Sequence, residues 1–154
     1  MSHVVSIELK ITDLAALAKA AEECGCELVR DVKTYRWYGR HVGDYPLPNG
    51  FAHADLGKCD HVIRLRGKGS KDAYEIGVVK LKDGSGYTCL YDFFEGGYGL
   101  MEAVSSESDK KRQGIGKLLQ HYTAEVTRRQ LRKQGFRVVE RLNKNGQLVI
   151  QGVQ

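Results

Sequence analysis

Apolar residues recur at every second position over Val5, Ile7, Leu9 and Ile11, with Ser6, Glu8 and Lys10 between them. That period of two marks a half-buried strand. Thr12 and Asp13 follow, and their side-chain oxygens can accept from the free N–H groups of a helix start. Leu14, Leu17, Ala18 and Ala21 then share one helical face, and Gly25 stands where a left-handed residue closes the helix. A second strand is predicted through Leu28, Val29 and Val32 into Tyr35–Tyr38. Its apolar phase slips between Val32 and Tyr35, which predicts a bulge there. Residues 39 to 60 carry Pro46, Pro48 and Asn49-Gly50 and no sustained period. They read as one long loop, of a length that usually serves function or a partner.

The chain then returns to strands, His61–Arg66, Tyr74–Leu81 and Tyr87–Phe94, with a hairpin turn at Asp83-Gly-Ser-Gly86. Glu95-Gly-Gly-Tyr-Gly99 breaks the last of them. A long helix is predicted from near Asp109 to Gly135, with Ile115, Leu118, Leu119, Tyr122 and Val126 as its apolar stripe. Beyond Val126 the same meridian carries Arg129 and Lys133. Either those stems lie over the core edge with their charges in water, or the last turns project from the body. A final hairpin runs from Phe136 to Leu142, turns at Asn145-Gly146 and returns from Leu148 to Val153. The order β-α-β-loop-β-β-β-α-β-β predicts an α+β fold. Its 154 residues would form one domain, a largely antiparallel sheet with two helices packed on one face.

Composition narrows the setting more than the chemistry. No apolar run approaches the roughly 18 residues that span a bilayer, and the N-terminus has neither a basic nor an apolar leader region. A cytoplasmic protein without membrane contact is the expectation. Cys24, Cys26, Cys59 and Cys89 are then expected as reduced thiols. Cys24-Gly-Cys26 lacks the CxxC spacing of metal and redox sites and reads as structural. The formal charge of +5 favours an anionic partner.

Two segments could carry chemistry. Arg112-Gln-Gly-Ile-Gly-Lys-Leu-Leu119 places glycines at a helix start, where backbone N–H groups can hold a phosphate. It lacks the first glycine of a Walker loop, and Leu118 stands where that loop needs Ser or Thr. The turn looks more like the pyrophosphate-binding turn of GCN5-type acetyltransferases, which grips coenzyme A. The strand that feeds the turn in those enzymes is replaced here by Ala103–Asp109. His41, Asp44, His53, Asp55, Cys59, Asp60 and His61 are residue types that bind transition metals, but in no recognised spacing. His61 shares a phase with Ile63 and Leu65 and can equally be a core histidine. No nucleophile elbow or HExxH motif is present.

Basic residues crowd the long helix and its exit: Arg112, Lys117, Arg128, Arg129, Arg132 and Lys133, then Arg137 and Arg141. Tyr35, Trp37, Tyr38 and Tyr45, with Arg40 and His41 among them, form an aromatic and basic stretch able to stack and neutralise a nucleotide.

Several short blocks in order also carry a family resemblance. They are Met1-Ser-His3 entering a strand, Tyr74-Glu-Ile-Gly77, Leu90-Tyr-Asp-Phe93, Gly96-Gly-Tyr-Gly99, Leu118-Leu-Gln-His-Tyr122, Gln134-Gly-Phe136 and the Asn145-Gly146 hairpin. Together they span nearly the whole chain. On them it resembles the family of the hypothetical chloroplast reading frame thirty-five (ycf-type; domain of unknown function twelve fifty-seven), in its phage and bacterial branch. The resemblance implies a small intracellular protein and a protein partner such as an AAA-type ATPase, and the family has no established catalytic residues to carry over; no cofactor is expected. The expectation is therefore a non-enzymatic binding protein, acting through the basic helix and the aromatic loop on a nucleotide, a nucleic acid or a protein. A homodimer is its expected assembly. The alternatives are a coenzyme A-dependent acyltransferase at Gly114–Gly116 and a metal-dependent hydrolase in the loop.

Overall fold

The computed structural model describes residues 4–6, 10–39, 50–67, 71–108 and 110–154. The fold is α+β. Strands β1 (Val4–Ser6), β2 (Cys26–Arg30), β3 (His61–Leu65), β4 (Ile76–Lys80) and β5 (Tyr87–Asp92) form one antiparallel sheet in the order β1-β5-β4-β3-β2. Helices α1 (Leu14–Glu23), α2 (Leu100–Val104) and α3 (Gly116–Lys133) lie on one face of it.

Local chemistry sets the helix ends as the sequence predicts for α1. The Asp13 carboxylate accepts from Ala16 N–H at 2.9 Å, and Gly25, at φ +74°, follows the C-cap. Tyr122 on α3 ties the two long helices together, its hydroxyl oxygen accepting from Thr12 N and Asp13 N at 3.1 and 3.3 Å. Ile115, Leu118 and Tyr122 are buried against α1 and the sheet, while Leu119 and Val126 pack at the margin.

Four expectations need correction. The long helix begins at Gly116 rather than near Asp109, after a separate 3-10 turn at Lys110–Arg112. The break after β5 leads into a third short helix, α2, which the two-helix reading lacked. The final hairpin, β6 (Arg137–Leu142) with β7 (Leu148–Val153), is a separate two-stranded sheet. It packs on the last turns of α3, so Leu131 and Phe136 close over Gly152 where a Cβ would meet both. The polar end of α3 thus carries its own cover.

The fourth correction concerns the second strand. It ends at Arg30, and Asp31 turns the chain through a left-handed residue at φ +60°. The segment that follows leaves the sheet and crosses its second face. There Tyr35, Phe51 and Leu56 bury Val62 of β3 and Leu90 of β5, with Trp37 and Val79 alongside. The apparent phase slip at Val32–Tyr35 is a change of layer. Alternating burial explains why it is needed: Cys89 and Tyr91 point into the helical core, and Leu90 points away from it. A sheet apolar on both sides needs two covers.

Gly77 fits this arrangement. It lies inside β4, and a Cβ there would run into the Tyr35 ring. The ring lies across the bare glycine backbone, a close approach that a strand glycine permits. The Tyr35 hydroxyl is buried with no hydrogen-bond partner among the described residues. Gly77→Ala is expected to cost about 1–3 kcal/mol in urea unfolding, through overpacking against the ring. Tyr35→Phe should be neutral or stabilising by about 1 kcal/mol, because it removes an unsatisfied buried hydroxyl.

Candidate functional site

One ion pair and a set of hydrogen bonds moor the covering segment to the far end of the sheet. Arg36 N donates to Glu75 Oε1 at 2.8 Å, Arg36 Nε donates to Ala73 O at 2.9 Å, and Glu75 N donates back to Arg36 O. The Arg36 guanidinium also lies 3.5 Å from Glu75 Oε2. Two residues on, Tyr38 N donates to the buried Asp92 carboxylate at 3.0 Å, and the other carboxylate oxygen accepts from Phe94 N.

This mooring brings Arg36 to a cleft of about 290 Å³ that also holds Glu27, Arg64, Arg66 and Lys71. Arg64 lies opposite Glu27 in the β2–β3 register, and Arg66 follows on the same side of the chain. Glu27 accepts from Arg64 Nε at 2.7 Å and lies 3.8 Å from Arg66 Nε. The cleft region therefore gathers four cations around two carboxylates, Glu27 and Glu75. Both arginines meet Glu27 through Nε, which leaves their terminal nitrogens without a partner among the described residues. Lys71 is likewise unpaired among them.

Two aromatic pairs lie outside the cleft lining, on segments that adjoin Arg36 and Leu65. Tyr38 stands 5.0 Å from Phe94, and Tyr74 stands edge-on to Tyr98 at 5.2 Å. Tyr38 and Tyr98 are 44% and 51% exposed, so both keep a ring surface free for contact. Burial and then the nearby Asp92 carboxylate raise the Tyr74 phenol above its ordinary value. Leu65 joins the two parts, lining the cleft and lying 3.4 Å from where a Gly99 Cβ would stand.

The turn that presents Tyr98 is unusual. Glu95, Gly96, Gly97 and Tyr98 have φ between +51° and +66°, one turn of left-handed helix, and Gly99 continues at φ +111°. For Glu95 and Tyr98 that conformation costs about 1–2 kcal/mol each. It is held by Tyr74 N donating to Gly97 O at 2.9 Å and by the packing of Gly97 against Leu100 and Phe93.

The basic helix is different in kind. Arg128 donates to Glu140 at 2.7 and 3.0 Å and to Glu125 at 3.3 Å, and Arg129 bonds Glu125 at 3.0 Å. Glu140 and Glu125 hold the Arg128 guanidinium above its ordinary range. Lys117 is half-buried and turned toward Cys24 and Cys26, where its charge opposes the burial that raises both thiols. Arg132 and Lys133 are exposed at the last turn. The side chain of Arg112 lies outside what is described, as do Arg40, His41 and Tyr45. Tyr35 is 5% exposed and unavailable to a ligand, Trp37 is half-buried over Gly57, and only Tyr38 of these three aromatics is open.

The loop residues that suggested a metal divide in the same way. His61 is buried, its Nδ1 accepting from Asp31 N at 3.0 Å, and the Cys59 thiol donates to Val32 O. Asp60 accepts from Lys80 N at 2.8 Å. They line a cleft of about 260 Å³ with Asp31, Lys33 and Lys80, where two carboxylates balance two ammonium groups. Among the described residues no three metal-ligating side chains converge. His41 and Asp44 fall outside those residues. Among the described residues no strand feeds the turn at Gly114–Gly116, and Gly114 O accepts from the Ser105 hydroxyl. No helix among the described residues is long and apolar enough to cross a membrane.

The chain matches no protein-family model, no curated protein and no solved structure. Sequence reasoning missed Arg36, Arg64, Arg66, Lys71, Tyr74, Phe94 and Tyr98. A signal for Tyr98 was present, an aromatic residue set among three glycines. Arg64 and Arg66 alternate with Leu65, which reads as an ordinary solvated strand face.

The cysteines give a separate test. Burial pushes Cys26, Cys59 and Cys89 up to about 12, and Cys24 is raised as well. At pH 8 none is expected to react quickly with a disulfide reagent in the native protein, and all four should react in denaturant. A fast native thiol would reveal a nucleophile that this packing does not provide.

Proposed function

We propose that this protein binds a phosphate-bearing anion, a nucleotide or a nucleic acid, in the cleft of Arg36, Arg64, Arg66 and Lys71, without catalysing a reaction. The observation that carries this reading is the charge balance. Among the described residues, Glu27 and Glu75 orient three guanidinium groups through hydrogen bonds and ion pairs, and the terminal nitrogens of Arg64 and Arg66, with the Lys71 ammonium, remain to meet an anion. Arginine forks held in this way suit phosphate oxygens, because their planar donors are set before the ligand arrives. The bordering rings offer a surface for a base. Long α3, which the charge pattern alone favours, is the weaker candidate because Glu125 and Glu140 already occupy Arg128 and Arg129.

Binding of a fluorescent polyanion, followed by anisotropy, is expected to weaken steeply between about 50 and 200 mM salt. Arg64→Glu with Arg66→Glu should lower affinity at least about tenfold at low salt, since each lost phosphate contact reduces both affinity and salt slope. Arg128→Glu with Arg132→Glu should change it little. The opposite ranking would return the site to α3.

A second reading, self-association, rests on the β6–β7 hairpin. Both strands are sheet edges, and Leu142, Leu148 and Val139 are among the most exposed large apolar residues. Strand β7, Leu148–Val153, carries no charge, so antiparallel pairing with β7 of a second copy opposes no like charges. Light scattering during size exclusion should then report twice the chain mass at high concentration. Val149→Lys with Gln151→Lys, on the side away from α3, should restore the monomer. A wild-type monomer at every concentration would remove this reading.

A further inference from the structure

We infer that the ligand of the cationic cleft is single-stranded nucleic acid, and that Tyr98 is a residue on which one of its bases stacks. The inference rests on the proposed cleft and adds the chemical class of its occupant. Its warrant is the conformation of the chain at Tyr98. Residues 95–99 run through five consecutive positive φ angles, and three of the five are glycine, the residue that adopts them without penalty. Tyr98, at φ +54°, is a large β-carbon-bearing residue in the same turn. Strain of this kind persists where the surroundings over-determine it, and it concentrates at functional positions.

Packing alone does not account for the tyrosine. Its ring meets Tyr74 edge-on at 5.2 Å and its phenol lies within reach of the Tyr74 phenol, yet half of the residue remains in solvent. A half-exposed ring held on a stiff turn, rather than on a free loop, is a pre-set stacking surface. The second exposed ring, Tyr38, leans on Phe94 and is fixed through its own N–H to Asp92. Leu65 lines the cleft and lies 3.4 Å from where a Cβ on Gly99, the neighbour of Tyr98, would stand, so bases and phosphates would have neighbouring but separate places.

The shape of the site favours a strand over a mononucleotide or a duplex. The cleft is an open groove of about 290 Å³ whose lining holds no ring, so it does not enclose a base, and the exposed rings stand outside it. Stacking on an exposed rim needs bases that are already unpaired, which a duplex does not offer. The sequence is read weakly, if at all, because a ring face accepts every base.

The test uses the full chain, a fluorescent oligothymidylate, a duplex of equal length, and ATP as competitor. The single strand is expected to bind more tightly than the duplex, and ATP to compete poorly. Tyr98→Gly and Tyr98→Leu should weaken oligonucleotide binding roughly 5- to 150-fold, the range for loss of one stacked base. Tyr98→Phe should retain it. The thermal midpoint of Tyr98→Gly should stay close to that of the parent, because the substitution removes a strained residue. A photoreactive 5-iodouracil oligonucleotide should cross-link to Tyr98.

The outcomes separate the two claims. If Arg64→Glu with Arg66→Glu abolishes binding and Tyr98→Gly leaves it intact, the cleft stands and the stacking role falls. Equal affinity for duplex and single strand overturns the inference in favour of phosphate recognition alone. Strong competition by ATP overturns it in favour of a mononucleotide. No binding of any of these anions at low salt removes the cleft and this inference together.

Discussion

The contact between the Tyr35 ring and the bare backbone of Gly77 fixes how the two layers of this protein meet. A sheet whose strands are apolar on both faces cannot leave one in water, and here the helices cover only the first. The second is covered by irregular chain, which has no ladder of its own to hold it flat. Tyr35 supplies the registration: its ring seats on Gly77, and its N–H bonds Gly57 O. Trp37 repeats the device on Gly57. Any larger residue at Gly77 would lift the cover from the sheet, and Arg36 and Tyr38 would move with it.

That registration has an electrostatic consequence. With Tyr35 seated, Arg36 falls on Glu75 and the Tyr38 N–H falls on Asp92, so two acids of the sheet end become anchors for the cover. A buried carboxylate such as Asp92 is tolerable only with several donors around it, and Tyr38 N and Phe94 N serve as two of them. The acids that hold the layers together thereby set the geometry of the cations beside them. Stability and the candidate site share the same hydrogen bonds, so the arginines and rings are placed by the fold itself.

Much of the fold was legible in the sequence because short-range rules governed it. The Asp13 cap, the Gly25 stop, the hairpins at Asp83–Gly86 and Asn145-Gly146, and the apolar stripe of α3 depend on neighbours within a few residues. The cover did not obey such rules. Tyr35 and Trp37 look like strand residues by composition, and only the glycines beneath them, Gly77 and Gly57, reveal another layer. Those glycines are 42 and 20 positions away, beyond the reach of any periodicity argument.

The site was less legible than the fold, and for a related reason. Counting cations finds α3 first, because ten basic residues lie on it or close by, but a count does not show which have partners. Glu125 sits one turn before Arg128 and Arg129, a spacing readable from the sequence, while Glu140 arrives only when the hairpin folds back. Arg36, Arg64, Arg66 and Lys71 come from three separate segments and look unremarkable in each. What distinguishes them is the one cleft they line, where Arg64 and Arg66 share Glu27, a property of the folded chain. In a mildly basic protein the place to look for an anion is therefore where positive charge stays unspent after internal pairing. That criterion is what favours the cleft of Arg64, Arg66 and Lys71 over α3 in the reading proposed above.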